Sequence, residues 1–176
     1  LKQKHGFRGI RFNISGGDVF QEKNLPTWEY ILKKLRPIST SFRSASINPH
    51  HSDKIIDFVI RNRIPVLVSV NVDDREDRML KVACRLMEEG LLVDNNIIIE
   101  DINLKRFLPM TENFLKHGLP VRAYSTYDPR QKVMERLDIE GYFDLLEKYN
   151  YNHINSCFGH YQPWRAKPPG GSCGFC

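Results

Sequence analysis

The stretch that decides the fold is Pro65-Val66-Leu67-Val68-Ser69-Val70-Asn71, a nearly continuous run of apolar residues. A strand that is apolar on both faces is typical of a parallel strand buried inside an α/β sheet. Residues 74–89 follow it with apolar side chains at helical spacing, and Gly90 stands where a helix C-terminal cap belongs. The stretch therefore predicts one strand and one helix of a repeating βα architecture.

Four more units of the same kind surround this one along the chain. Strands are predicted at residues 9–14, 41–46, 96–100 and 120–126, and helices at residues 26–35, 52–60, 104–117 and 129–137. Short links between parallel strands require right-handed crossovers, so the pattern predicts an α/β fold with a parallel sheet. It fits both a partial barrel and an open doubly wound sheet. In either fold, ligands bind at the carboxyl ends of the strands.

Composition and charge limit the classes of protein that fit. With 176 residues and 41% apolar content, the chain is large enough for one ordinary domain. The net charge of +5 is compatible with a nucleic acid or another anionic ligand and requires neither. No uncharged apolar run reaches the about 18 residues of a membrane span, and the first five residues lack the apolar segment of a secretory signal. We therefore expect a cytoplasmic protein.

The composition changes after Tyr149, where aromatic, Pro and Gly residues gather together with most of the cysteines. Such a segment cannot continue the βα repeat. A short, loop-rich segment also needs a cross-link, such as a disulfide bond or a bound metal, to stay ordered. The sequence therefore predicts a βα-repeat domain at residues 1–149 and a Cys-, Gly- and Pro-rich metal-binding appendage at residues 150–176.

Three cysteines of this appendage form a candidate metal site. Cys173 and Cys176 make a CxxC knuckle, and Cys157 precedes them in the same segment. Thiolates at this spacing are ligands of zinc and of iron–sulfur clusters. His153 and His160 are candidates for a fourth ligand, and free or disulfide-bonded thiols are the alternative. We predict an iron–sulfur cluster or zinc at Cys157, Cys173 and Cys176.

A turn with paired glycines, Ser15-Gly16-Gly17-Asp18, follows the first predicted strand. Glycines let the backbone approach a ligand closely and leave N–H groups free for an anion. Asp18 is suited to accept a hydrogen bond from an ammonium or hydroxyl group, although a tight turn with a solvated aspartate is the structural alternative. At the end of the fourth predicted strand, Glu100 and Asp101 place adjacent carboxylates where a ribose diol would be a fitting partner.

From Ser15 to Ile38 the sequence resembles, without a gap, a segment of the lysine 2,3-aminomutase family of radical S-adenosylmethionine enzymes. Cys84-Arg85-Leu86, residues 95–103 and residues 124–128 are similar to later segments of that family, so the resemblance extends over residues 7–128. It implies a partial TIM-like radical S-adenosylmethionine barrel. It also implies an aminomutase-like isomerase that acts on an amino-acid-like or small polar substrate.

The resemblance also implies roles for individual residues. Ser15 to Asp18 would hold the methionine amino group of S-adenosylmethionine. Arg43 or Arg122 would pair with a substrate carboxylate through two parallel hydrogen bonds, and Asp128 would hold a substrate ammonium. Enzymes of this family carry a [4Fe–4S] cluster on a CxxxCxxC loop, and no such spacing occurs in this chain. We therefore expect either a portion of a longer enzyme or a barrel that has lost the ancestral reaction.

The C-terminal segment supports a second resemblance. Residues 120–158, together with Cys173-Gly174-Phe175-Cys176, look like the zinc-binding C-terminus of 7-cyano-7-deazaguanine synthases, which are PP-loop ATP enzymes. Val19 and Phe20 follow Asp18 where a PP-loop supplies a hydroxyl, so the turn is expected to offer apolar surface and to favour S-adenosylmethionine over ATP. A third alternative is a non-catalytic binding module stapled by the metal of the appendage.

Overall fold

A computed structural model of the chain describes residues 11–14, 19–37, 41–44, 47, 52–71, 76–99, 104–125, 127–128, 133–134, 141–153 and 164–168. Five parallel strands alternate with four helices in its first part. The strands are β1 (Arg11–Ile14), β2 (Ser41–Ser44), β3 (Val66–Asn71), β4 (Leu92–Ile99) and β5 (Val121–Ser125). The helices are α1 (Leu25–Leu35), α2 (Asp53–Arg61), α3 (Glu76–Glu88) and α4 (Leu104–Lys116).

The strands follow one another in space in the order of the sequence. β1 pairs with β2, β3 pairs with β4, and β4 pairs with β5, all in parallel. Ile47 joins the two groups through a parallel bridge to Val68: its N–H donates to the Leu67 carbonyl at 2.7 Å, and its carbonyl accepts from the Ser69 N–H at 2.9 Å. A doubly wound sheet reverses its strand order, whereas a barrel keeps it. The predicted α/β fold of parallel βα repeats, as a partial TIM-like barrel, is confirmed.

The helices end where the sequence predicts. Gly90 and Gly118 follow α3 and α4 with φ of 68° and 69°, a left-handed conformation that glycine adopts without strain. Pro26 lies in the first turn of α1, where its missing N–H removes no helical hydrogen bond. These local signals fix the lengths of the helices and therefore the positions at which the chain re-enters the sheet.

The sheet formed by β3, β4 and β5 has two different faces. On one face, Val68, Val70, Ile97 and Val121 are all fully buried. They form one hydrophobic core with residues of α2, α3 and α4. Sequential right-handed crossovers put the helices on the outside of a barrel. We call this the outer face, and we call the opposite side the inner face.

The segment after β5 differs from the sequence prediction. A helix is expected at residues 129–137, but Val133–Met134 is a short strand, β7, that pairs antiparallel with β6 (Tyr127–Asp128). The residue before a proline is restricted to extended conformations, so Asp128 before Pro129 favours a strand end there. The helix prediction is wrong at β7, and α5 (Tyr142–Lys148) follows later in the chain.

Two strands of the predicted appendage join the main sheet. β9 (Trp164–Lys167) pairs antiparallel with β5, and β8 (Asn152–His153) pairs antiparallel with β9. The sheet order is therefore β3-β4-β5-β9-β8. The division of the chain at residue 149 stays a prediction. None of the helices in the described ranges is long and apolar enough to cross a membrane.

Candidate functional site

The residues predicted to bind the cofactor follow the carboxyl ends of two parallel strands. Ser15, Gly16, Gly17 and Asp18 come directly after Ile14, the last residue of β1, and Glu100 and Asp101 come directly after Ile99, the last residue of β4. All six lie outside the described residues, so their roles stay predictions. What the structure describes is the framework that carries them.

The predicted substrate residues lie at different heights of the sheet. In β2, the backbone of Arg43 lies beside Asn13, one residue before the carboxyl ends of β1 and β2. Asp128 lies in β6, just after the end of β5. Arg122 is the second residue of β5, which places its backbone about 10 Å from the carboxyl end of that strand. The backbone of Arg43 therefore lies near the carboxyl ends of β1 and β2, while Arg122 belongs to the amino-terminal half of the sheet.

The chain that leaves the glycine turn is anchored in the core. Phe20 is fully buried, and its ring lies 5.5 Å from Trp28 and 5.7 Å from Phe58, between ring centroids. The indole N–H of Trp28 donates a hydrogen bond to the Val19 carbonyl at 2.9 Å. The expectation that Phe20 offers apolar surface to a ligand is wrong, because its side chain fills the space between α1 and α2.

A polar contact holds the same segment to the next βα unit. Glu22 lies in the short 3-10 turn Glu22–Asn24, and its carboxylate is 3.2 Å from the Lys54 ammonium. The neighbouring Ser52 hydroxyl and the Lys54 ammonium hold the pKa of Glu22 below its ordinary value. Ser52 and Lys54 stand at the start of α2. Residues 19–22 are therefore tied both to α1 and to α2.

The inner face of the sheet carries several polar side chains beside the half-buried Leu67. Ser69, Asn96 and Arg122 lie side by side in register on β3, β4 and β5. Asp94 shares their face two residues before Asn96, and its carboxylate oxygen Oδ2 is 3.4 Å from Arg122 Nη2. Asp94 is fully buried and Arg122 is 7% exposed. Arg122 thus has a carboxylate partner within the protein, and its predicted role toward a substrate carboxylate stays a prediction.

The sequence reasoning missed Asp94 because it starts the fourth strand at residue 96. β4 begins at Leu92 instead, so the polar triplet Asp94-Asn95-Asn96 is part of the strand. Asn95 points to the outer face and donates from Nδ2 to the Pro120 carbonyl at 2.9 Å. Burial, and next the charge of Asp94, raise the pKa of Tyr142 well above its ordinary value. An unbroken polar triplet next to Ile97-Ile98-Ile99 is the signal that would have shown a two-sided strand.

Metal ligands do not gather in the part of the chain that the structure describes. No group of three or more His, Cys, Asp or Glu side chains there is arranged to hold a metal ion. Cys84, which is expected in the core, is half-buried in α3, and burial raises the pKa of its thiol. Cys157, Cys173 and Cys176 lie outside the described residues, so the metal site stays a prediction.

Comparison with known proteins supports the fold. No protein-family model matches the chain, and no curated protein matches it. Among solved structures, the chain is similar to Streptococcus suis SuiB bound to S-adenosylmethionine, with a TM-score of 0.52 and 12% sequence identity. The match covers 93% of this chain and 45% of SuiB, so the chain spans less than half the length of that protein. At this identity, the likeness shows a shared fold.

Proposed function

We propose that this chain is the barrel portion of a radical S-adenosylmethionine-type enzyme, aminomutase-like, acting on an amino-acid-like or small polar substrate. The observation that carries the proposal is the run of five parallel strands in sequence order, a fold shared with a protein whose structure contains S-adenosylmethionine. Barrels of this kind bind their ligands at the carboxyl ends of the strands. The glycine turn Ser15 to Asp18 follows the first of those strands.

The roles that we propose for the chain are binding and orientation. Ser15 to Asp18 hold the methionine amino group, and Glu100 and Asp101 accept hydrogen bonds from the ribose. Arg43 lies one residue before the carboxyl end of β2. In the proposed site it pairs with a substrate carboxylate. Arg122 and Asp128 are further candidates for substrate contacts.

The residues of the barrel do not fit an iron–sulfur cluster. A cluster needs several cysteine thiolates close together. The barrel residues 1–149 contain only Cys84, which is half-buried in α3. We therefore derive no reaction step through a cluster. Any cluster at this edge would need cysteines that residues 1–149 do not contain.

Calorimetry with the whole chain tests the proposal. S-adenosylmethionine should bind without magnesium, and Asp18→Ala should weaken it about 10-fold or more, because a hydrogen bond to a charged group is lost. Asp144→Ala is the matched control, since Asp144 is exposed on α5 and should leave the affinity unchanged. Magnesium-dependent ATP binding with no response to S-adenosylmethionine would instead favour the PP-loop alternative.

We further propose that the appendage carries an iron–sulfur cluster or zinc. β9 separates Cys157 in sequence from Cys173 and Cys176, and β9 is paired with β5. Cys157 lies seven residues before β9, and Cys173 and Cys176 lie six and nine residues after it, so the three thiols are close to one another in sequence around that strand. Elemental analysis of protein purified with and without oxygen should find about one metal site per chain. Intact protein with neither zinc nor iron would rule the site out.

A further inference from the structure

The polar contacts between consecutive helices follow one direction along the chain. At each junction from α1 to α5, a carboxylate on the earlier helix contacts a donor on the later one. The contacts are Glu29 with Arg61, Asp57 with Arg85, Glu76 with Asn113, and Glu112 with Lys148. Arg63 and Glu89 pair in the opposite direction, but they lie in the turns after α2 and α3. The helices α2, α3 and α4 therefore direct donors toward the preceding helix and carboxylates toward the following one.

At the start of this series, α1 has a side that faces away from α2. Ile31 lies two residues after Glu29, about 200° around the helix axis and so opposite the Arg61 contact. It is half-buried and is not part of the core cluster of the described residues. Beside it, Tyr30 is 62% exposed, and the Lys34 ammonium lies 5.5 Å from the centre of the Tyr30 ring. We call Tyr30, Ile31 and Lys34 the basic side of α1.

At the end of the series, α5 has a side that faces away from α4. Lys148 pairs with Glu112 on α4, whereas Phe143 and Glu147 lie about 140° and 100° from Lys148 around the helix axis. Phe143 is 50% exposed, and Glu147 and the neighbouring Asp144 are also exposed. Neither of these two carboxylates forms an ion pair within the described ranges. We call Phe143, Asp144 and Glu147 the acidic side of α5.

We propose that copies of this chain bind one another head to tail, with the acidic side of α5 in one copy against the basic side of α1 in the next. The contact would continue the direction of the helix junctions within one chain, since a carboxylate on α5 would meet a donor on α1. The two sides also each carry an exposed aromatic side chain, a residue type that is enriched in protein interfaces. This inference concerns assembly and does not depend on the proposed function.

The size of the contact limits its strength. One helix against another buries less surface than a standard protein interface, so we expect weak self-association, with a dissociation constant on the order of 100 μM. Two different surfaces meet, so the contact is heterologous and produces either a closed ring or an open chain of copies. In both assemblies every α1–α5 contact is the same, and one substitution on either side affects all of them.

Sedimentation equilibrium of the whole chain, from about 10 to about 500 μM, tests the contact. Lys34→Glu and Glu147→Lys should each weaken self-association about 10-fold or more, because like charges would then face each other. Lys81→Glu and Glu88→Lys are the matched controls, since they make the same charge changes at exposed positions on α3 and should alter the dissociation constant less than about 2-fold.

Mixing the two interface variants is the sharpest step. An equimolar mixture of Lys34→Glu and Glu147→Lys pairs opposite charges again at every contact, so its average mass should return to the wild-type value. Should a charge reversal lower the melting temperature, the neutral variants Lys34→Gln and Glu147→Gln should still weaken self-association about 3-fold. A wild-type chain that stays monomeric at the highest concentration would overturn the inference. So would association that survives both reversals, or a mixture that does not recover.

Discussion

The outer and inner faces of the β3–β5 sheet belong to the same three strands and differ in how many polar side chains they carry. The outer face buries Val68, Val70, Ile97 and Val121 against the helices. The inner face carries the ion pair of Asp94 and Arg122 beside Asn96. The interior of a closed eight-stranded barrel is filled by branched apolar side chains. Here the outer face supplies the apolar core, and the inner face holds a buried ion pair.

The largest effect is expected when the ion pair of the inner face is broken. Asp94→Asn removes the buried charge that pairs with the Arg122 guanidinium, which should destabilise the fold by about 3–5 kcal/mol. For a chain of this size the melting temperature should fall by about 6–20 °C. Thermal denaturation followed by circular dichroism measures the change.

A double variant tests whether the stability of the fold requires charged residues at positions 94 and 122 or only side chains that fill the same volume. Replacing both partners, as Asp94→Leu with Arg122→Met, should recover most of the lost stability, since apolar residues of similar volume often substitute for a buried pair. A double variant that stays as unstable as Asp94→Asn would show that the inner face requires charge. In that case the contrast between the two faces is a structural necessity and says nothing about ligand recognition.

The next prediction compares two neighbours on one strand. Val68→Ala removes buried methyl groups from the outer face and should cost about 1–3 kcal/mol. Ser69→Ala changes the inner face, where the side chain is half-buried, and should alter stability by less than about 0.5 kcal/mol. Urea unfolding of the two variants gives both values. Equal costs would mean that the inner face is packed as tightly as the outer one.

The two faces also differ in how well the sequence predicts them. β3 is predicted almost residue for residue, because its apolar run and the glycine after α3 are local signals. β4 starts four residues earlier than expected, because Asp94 and Asn95 have low strand propensity. Their partners, Arg122 and the Pro120 carbonyl, come from distant parts of the chain. Long-range polar pairs leave no periodic trace in a sequence, so the inner face could not be derived from it.

In the candidate site, too, local features could be predicted from the sequence and contacts between distant residues could not. The strand β1 that precedes Ser15-Gly16-Gly17-Asp18 could be predicted, whereas the turn at those four residues lies outside the described residues and stays a prediction. The hydrogen bond from Trp28 could not, since at the sequence level Trp28 counts only as one apolar position of a helical stripe. The helix expected at residues 129–137 fails at β7 because the pattern of apolar residues there does not record the pairing with β6.

Alkaline pH tests a polar group on the helix side of the sheet. Burial raises the pKa of Tyr151 to about 12, and its hydroxyl donates to the Leu119 carbonyl at 3.1 Å. The folded chain therefore holds the proton more tightly than the unfolded chain does. The resulting stability is complete below pH 10.0 and is lost as the pH rises toward 12. Tyr151→Phe should be less stable at neutral pH and should lose less stability above pH 10.0 than the wild type does. Parallel slopes for the two chains would contradict this.

The smallest effect is expected for an ion pair on the outer surface of the helix layer. Arg85 on α3 lies 2.6 Å from Asp57 on α2, a shorter separation than that between Asp94 and Arg122. Both side chains are about half exposed, so water and salt screen the attraction, and ordering the two side chains costs entropy. Asp57→Asn should therefore change the unfolding free energy by only about 0.2–1 kcal/mol, and high salt should reduce even that. Asp57→Asn and Asp94→Asn each remove one negative charge and therefore change the net charge of the chain equally. The two variants form a matched pair that differs in the burial of the charge. If the two variants lost similar stability, burial would not explain why the inner face depends on its ion pair, and the comparison between the faces would fail.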